Sequence, residues 1–119
     1  MTPRDTHSLL DIVNAGRLLA QYIGEVSSAE QLKANSLVSS AVAWQFHILG
    51  EAAKRLSEEA RSAHPSLPWR EMARMRDRVA HGYDTIDWDI VWRVATKDLP
   101  PVVAEIERIL RGLGIAPRI

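Results

Sequence analysis

Apolar positions recur at helical spacing along most of the chain. From about Asp5 to Gly24, Leu9, Ile12, Val13, Ala20 and Ile23 share a stripe with Gly16, the period of an amphipathic helix. Residues 25–35 are polar and carry Ser27, Ser28 and Asn35, so they read as a connection with room for one short turn. A long helix is predicted from about Ser36 to Ala63. Val38, Ala41, Ile48, Ala52 and Leu56 line one side of it, and Val42, Phe46 and Ala53 widen that side. So broad an apolar sector implies packing on more than one neighbour. Gln45 falls inside it and is expected to be a hydrogen-bonded core residue.

The run His64-Pro65-Ser66-Leu67-Pro68 breaks the long helix, and Pro68 suits the first turn of the next. That helix ends near Gly82. Between Asp84 and Asp87 lie capping oxygens for another, in which Trp88, Val91, Trp92, Ala95 and Leu99 form a clean stripe. Pro100-Pro101 stops or kinks it. A last helix, about Pro101 to Arg111, is expected to bury Val102, Ile106, Ile109 and Leu110 and to end at Gly112 and Gly114. No strand-type alternation competes, and there is no internal repeat. The pattern predicts an all-α fold: an up-and-down bundle of four main helices plus a short fifth, in one domain spanning residues 1–119.

Composition narrows the function classes. The chain has 119 residues, enough to bury a real core, and 46% of them are hydrophobic, which excludes a disordered chain. The formal net charge is zero, so any nucleic-acid binding has to use a local patch rather than a general basic coat. Without cysteine there is no disulfide framework, thiolate nucleophile or cysteine-based zinc site. No apolar run approaches the ~20 residues of a membrane span, and nothing resembles a signal peptide. The expectation is a soluble cytoplasmic protein with no membrane partner.

The candidate chemistry lies in Arg76-Asp77-Arg78-Val79-Ala80-His81-Gly82-Tyr83. Arginine offers a rigid fork of donors to a phosphate. Histidine carries a proton near neutral pH, with an unperturbed pKa of ~6.5. Wound as a helix at roughly 100° per residue, residues 69–80 place Met72, Arg76 and Val79 on one side, flanked by Trp69 and Ala80. Arg70, Arg74 and Arg78 fall opposite. Arg76 therefore lies in the apolar stripe and must find a partner or line a cleft, because an unpaired buried charge is costly. Five helical steps separate Arg76 from His81 by about 140°, so one straight helix does not point both side chains the same way. Either the helix ends near His81, which Gly82 encourages, or two copies of the chain complete the site across a two-fold axis. The bland alternative is a basic last turn favoured by the helix dipole.

Other constellations carry less. His7, His47, His64 and His81 are scattered, with no helical pairing to a carboxylate expected, and neither a metal site nor a cofactor is anticipated. Glu51, Glu58 and Glu59, with Lys54 and Arg55, read mostly as a solvated face. Glu51 is singled out: it follows Gly50 near the edge of the apolar sector and could accept from an inward arginine. Its competing partner is Arg55, four residues on. The tryptophans sit on apolar stripes and read as core or interface anchors, not base-stacking platforms.

Arg76, His81 and Tyr83 match the RxxxxHxY pattern, and the chain resembles the HepT-like toxins, a branch of the HEPN superfamily. Gly50-Glu51-Ala52-Ala53-Lys54-Arg55-Leu56, Pro68-Trp69-Arg70, Trp92 and Leu99-Pro100 agree with it, from roughly Leu9 to Leu110. The resemblance implies a homodimeric bundle of four or five helices with each motif in a cleft at the dimer interface. It implies a metal-independent endoribonuclease acting as a toxin on an RNA substrate. It implies a minimal-type nucleotidyltransferase as antitoxin, able to attach AMP to the motif tyrosine. Carried residue by residue, Arg76 and His81 are catalytic, Tyr83 is the modified position, and Asp77 is a supporting polar position where asparagine is frequent. Arg70, Arg74 and Arg78 are candidate contacts to flanking phosphates. The rival reading is a helical interaction module that binds a nucleotidyltransferase or a nucleotide without turnover.

Overall fold

The computed structural model describes residues 1–81 and 83–117, except for the side chains of Ala80, His81 and Tyr83. Among the described residues the structure is helical throughout, with no strand. The helices are α1 (Pro3–Ile23), α2 (Ala29–Ala34), α3 (Ser36–Arg55), α4 (Glu58–Ala63), α5 (Trp69–His81), α6 (Trp88–Arg93) and α7 (Leu99–Gly112). A 3₁₀ turn spans Tyr83–Thr85 and a π-helical turn spans Val94–Asp98. α3 lies at the centre, with α1 packed on one side and α5 on the other; α7 covers α1, and α2 rests on α6.

The core is made where these helices meet. Leu9, Ile12, Val13 and Leu19 of α1 face Val42, Phe46 and Leu49 of α3, all at most 1% exposed. Gly16 lets α7 approach, since a Cβ there would overlap Val103 Cγ2. Leu32, fully buried, anchors α2. Two stripes are rotated from their expected positions. In α1, Leu19 is inside and Ala20 outside. In α7, Val103 is inside while Val102 and Ile109 are half-exposed. Helical period fixes the width of a stripe, but its centre depends on which neighbour packs there.

The predicted 36–63 helix is two helices. α3 stops at Arg55, Leu56 is extended (ψ 139°), and Ser57 caps α4 by accepting from the amide of Ala60. The cause lies in α1. Asp5, 1% exposed, accepts from the Ser57 amide at 2.8 Å and from the Ser57 hydroxyl at 2.7 Å. Asp5 also closes a capping box with Thr2. These hydrogen bonds, the Ser57 amide first, hold the Asp5 carboxyl down at about 2 despite burial, which acts the other way. Ser57 cannot serve that carboxylate and continue the helix.

The paired prolines have an unexpected effect upstream. Pro100 and Pro101 bring no amide hydrogens to Thr96 and Lys97, and the Pro100 ring crowds the Thr96 carbonyl. The chain widens into the π turn at Val94–Asp98, with the Leu99 amide reaching back to the Val94 carbonyl. The wider turn lets Val91, Ala95 and Leu99 stay buried on one side. α7 ends at Gly112; the turn after it places Gly114 at a φ of +77°, which suits glycine, and the Ile115 amide closes on the Leu110 carbonyl at 2.9 Å.

Two smaller expectations need correction. Gln45 is buried, but its amide has no hydrogen-bond partner among the described residues. His7 does pair with a carboxylate: its Nε2 lies 3.5 Å from Asp11 Oδ2, one turn along α1. Of the tryptophans, Trp69 is buried and donates to the His64 carbonyl at 2.9 Å. Trp44 is 59% exposed and stacks on His47 at 5.2 Å.

Candidate active site

α5 crosses α3 at Gly50. A Cβ at that position would overlap the Cβ of Arg76 and lie 2.9 Å from the Met72 carbonyl oxygen, so the close crossing requires glycine. Met72, Met75 and Val79 of α5 are buried, with Trp69 beside them. The strong amphipathy of the helix thus sets its rotation and turns Arg76 toward α3.

Arg76 meets two carboxylates there. Its Nε lies 2.5 Å from Glu51 Oε1, although the N–H is not aligned for a directed hydrogen bond, so the contact is an ion pair. Its Nη1 donates to Asp77 Oδ1 at 3.1 Å. The same Asp77 oxygen accepts from Lys54 Nζ at 2.8 Å. Lys54 and then Arg76 hold the Asp77 carboxyl below its ordinary range. The Arg76 side chain is 24% exposed and that of Asp77 is 50% exposed, so the charges sit at a mouth and not in the core. Arg55, the other candidate for Glu51, pairs instead with Asp11 of α1 at 2.9 Å.

The remaining arginines of α5 do not form one patch. Arg74 and Arg78 line, with Arg93, a groove of about 410 Å³ floored by Phe46, Leu49, Met72 and Met75. Arg70 faces a separate, open cleft together with Lys54 and Arg61. None of Arg70, Arg74 and Arg78 has an ion-pair partner among the described residues. α5 ends at His81 and the 3₁₀ turn begins at Tyr83. The side chains of His81 and Tyr83, and Gly82 entirely, lie outside the described residues.

The crossing thus brings together Arg76, Asp77 and Glu51, and adds Lys54, which the sequence pattern placed on a solvated face. The available signal was Gly50. A glycine inside a helical stripe marks a close approach of another backbone, and Lys54 lies one turn beyond it. What the pattern withholds is which helix makes that approach.

The sequence is similar to known proteins over most of its length. The family model for ribonuclease HepT-like proteins matches residues 12–109. A probable ribonuclease HepT of Thermococcus cleftensis is 33% identical over 101 residues, covering 85% of this chain and 91% of that protein. The putative RNase MJ0127 of Methanocaldococcus jannaschii is 30% identical over 114 residues, covering 95% and 93% respectively. No solved structure matches the chain. With an all-helical fold, an arginine-bearing crossing of α3 and α5 and a family match across 12–109, the chain belongs to the ribonuclease HepT-like family of the HEPN superfamily.

Proposed function

We propose that this chain is a metal-independent endoribonuclease, the toxin of a toxin–antitoxin pair, that cleaves RNA by transphosphorylation. Membership of a ribonuclease family carries the reading, and the partly exposed Arg76 at the helix crossing supports it. RNA brings its own nucleophile. The 2′-oxygen attacks the adjacent phosphorus in line, the bond to the 5′-oxygen breaks, and a 2′,3′-cyclic phosphate remains. The proton lost by the 2′-hydroxyl is matched by one gained at the departing 5′-oxygen, and His81 shuttles it. Arg76 stabilises the charge that builds on the equatorial oxygens. Arg74 and Arg78, from their shared groove, hold a flanking phosphate, and Arg70 holds another from its own cleft.

The active form is a homodimer. Leu37 is 81% exposed and Trp44 59% exposed on α3. They lie seven residues apart, and Glu51 follows seven further on, so the three share one face of the helix. Half-exposed Ala41 and Ile48 fill the spaces between them. A second copy seated on that face adjoins the crossing that holds Arg76. The antitoxin is a minimal-type nucleotidyltransferase that transfers AMP to Tyr83, placing bulk and negative charge next to His81 in sequence. A Tyr83→Phe protein then stays toxic when the antitoxin is present; rescue of that variant removes the adenylylation step.

A second reading has one observation in its favour. At rest Arg76 already faces two carboxylates, as in a module that binds a partner without turnover. The 2′-hydroxyl separates the two. Purified protein incubated with RNA in EDTA should leave 2′,3′-cyclic ends, and His81→Ala should abolish them, with DNA and 2′-O-methyl RNA left intact. An unmodified protein that fails to cleave RNA favours the binding module.

A further inference from the structure

Lys54 Nζ and Arg76 Nη1 converge on a single oxygen, Asp77 Oδ1, at 2.8 and 3.1 Å. Cations of two different helices do not meet at one point by local sequence, since Lys54 belongs to α3 and Asp77 to α5, 23 positions later. Where two such donors meet, an oxyanion is what they fit. The oxygen now there belongs to a side chain half-exposed to water, and Lys54 is 39% exposed. Exposed ion pairs of this kind are weak and exchange readily. On the other side, Glu51 takes the Nε edge of Arg76, which leaves Nη1 facing the exchangeable oxygen.

We infer that Lys54 is a second phosphate-binding residue of the site and that Asp77 is an internal stand-in for substrate phosphate, displaced when RNA binds. This rests on the ribonuclease reading for the identity of the anion, an RNA phosphodiester. A phosphate oxygen placed where Asp77 Oδ1 lies receives both donors, and Asp77 swings into solvent. Beyond Lys54 the surface opens into the cleft that Arg61 and Arg70 line together with Glu58 and Glu71, so two further arginines lie within reach of a strand leading away from Arg76. Asp77 therefore sets the affinity of the resting site: it keeps the two cations neutralised against adventitious anions and yields to a polyanion that engages further arginines.

The test is binding of a 2′-O-methyl RNA oligonucleotide, which cannot be cleaved, across a range of salt concentrations. Affinity and salt slope are compared for the unmodified protein, Asp77→Asn, Lys54→Met and Lys54→Arg. Asp77→Asn keeps the shape and removes the competing charge, so it should bind roughly three- to tenfold more tightly. Lys54→Met should weaken binding and lower the slope of log K against log salt by about 0.7, one single-strand phosphate contact. Lys54→Arg should restore the slope. Equal or weaker binding by Asp77→Asn, an unchanged slope in Lys54→Met, or no binding by any of the proteins overturns the inference. If binding behaves as expected but unmethylated RNA is never cleaved, the ribonuclease reading fails while the phosphate site stands.

Discussion

Asp5 and Asp77 each reach from a neighbouring helix to α3 or its immediate continuation, one from α1 to Ser57 and the other from α5 to Lys54. Asp5 is almost wholly buried and accepts from uncharged donors: the amides of Ser57 and Thr2 and the Ser57 hydroxyl. Asp77 is half-exposed and its donors are two cations. The first arrangement is costly to undo, because the partly buried Ser57 amide and hydroxyl lose their acceptor. The second is cheap to undo, because water and other anions can take over. A carboxylate that joins helices belongs to the scaffold in one case and to an exchangeable anion site in the other. Burial and the charge of the donors make the difference, not the residue type.

The largest test of this contrast is at Arg76. Arg76→Ala should lower RNA cleavage by about 10²–10³-fold, the loss typical of a transition-state donor, with a melting temperature close to that of the unmodified protein. A large fall in melting temperature alongside would move Arg76 from the site to the scaffold.

Asp5 should behave in the opposite way. Asp5→Ala orphans the Ser57 and Thr2 amides and removes a cap, at a cost of roughly 3 kcal/mol, or on the order of 10 °C in melting temperature. Its folded pKa of about 2 lies below the ordinary aspartate value of 3.8. The ionised form is therefore favoured by folding, and that contribution is present above pH 3.8 and lost as pH falls through about 2. The shift corresponds to roughly 2 kcal/mol. Melting curves from pH 5 down to pH 2 should show this acid-linked loss in the unmodified protein and not in Asp5→Asn.

Gly50→Ala comes next. Replacing glycine in a helix normally gains about 1 kcal/mol. Here the new methyl group meets Arg76 Cβ and the Met72 carbonyl of a packed helix, and overpacking costs about 1–3 kcal/mol. The backbone contact decides the sign, so chemical denaturation should show a less stable protein, and cleavage should fall with it. Asp77→Asn should have the smallest effect on stability, with no resolvable change in melting temperature. A clear destabilisation there would place Asp77 with Asp5.

Much of the fold is legible in the sequence because helix signals are local. The period of apolar residues, the polar 25–35 segment, the proline-bounded break at 64–68 and the Asp87 cap each act within a few residues. The end of α3 at Arg55 is not legible, because Ser57 is drawn out of the helix by Asp5, 52 residues away. The π turn before Pro100 is half-legible: the prolines announce a defect, but packing of Val91, Ala95 and Leu99 selects its form.

The candidate site divides in the same way. The sequence by itself determines that Arg76 lies on the apolar side of its helix while Arg70, Arg74 and Arg78 lie away from it, since helix geometry fixes relative directions along one element. Only the tertiary structure decides that Gly50 is where α5 crosses, that Glu51 and Asp77 share Arg76, that Lys54 joins them, and that Arg70 faces a different cleft from Arg74 and Arg78. Direction within a helix follows from covalent geometry and backbone hydrogen bonds. Partnership between helices follows from how their surfaces fit, which no single helix encodes.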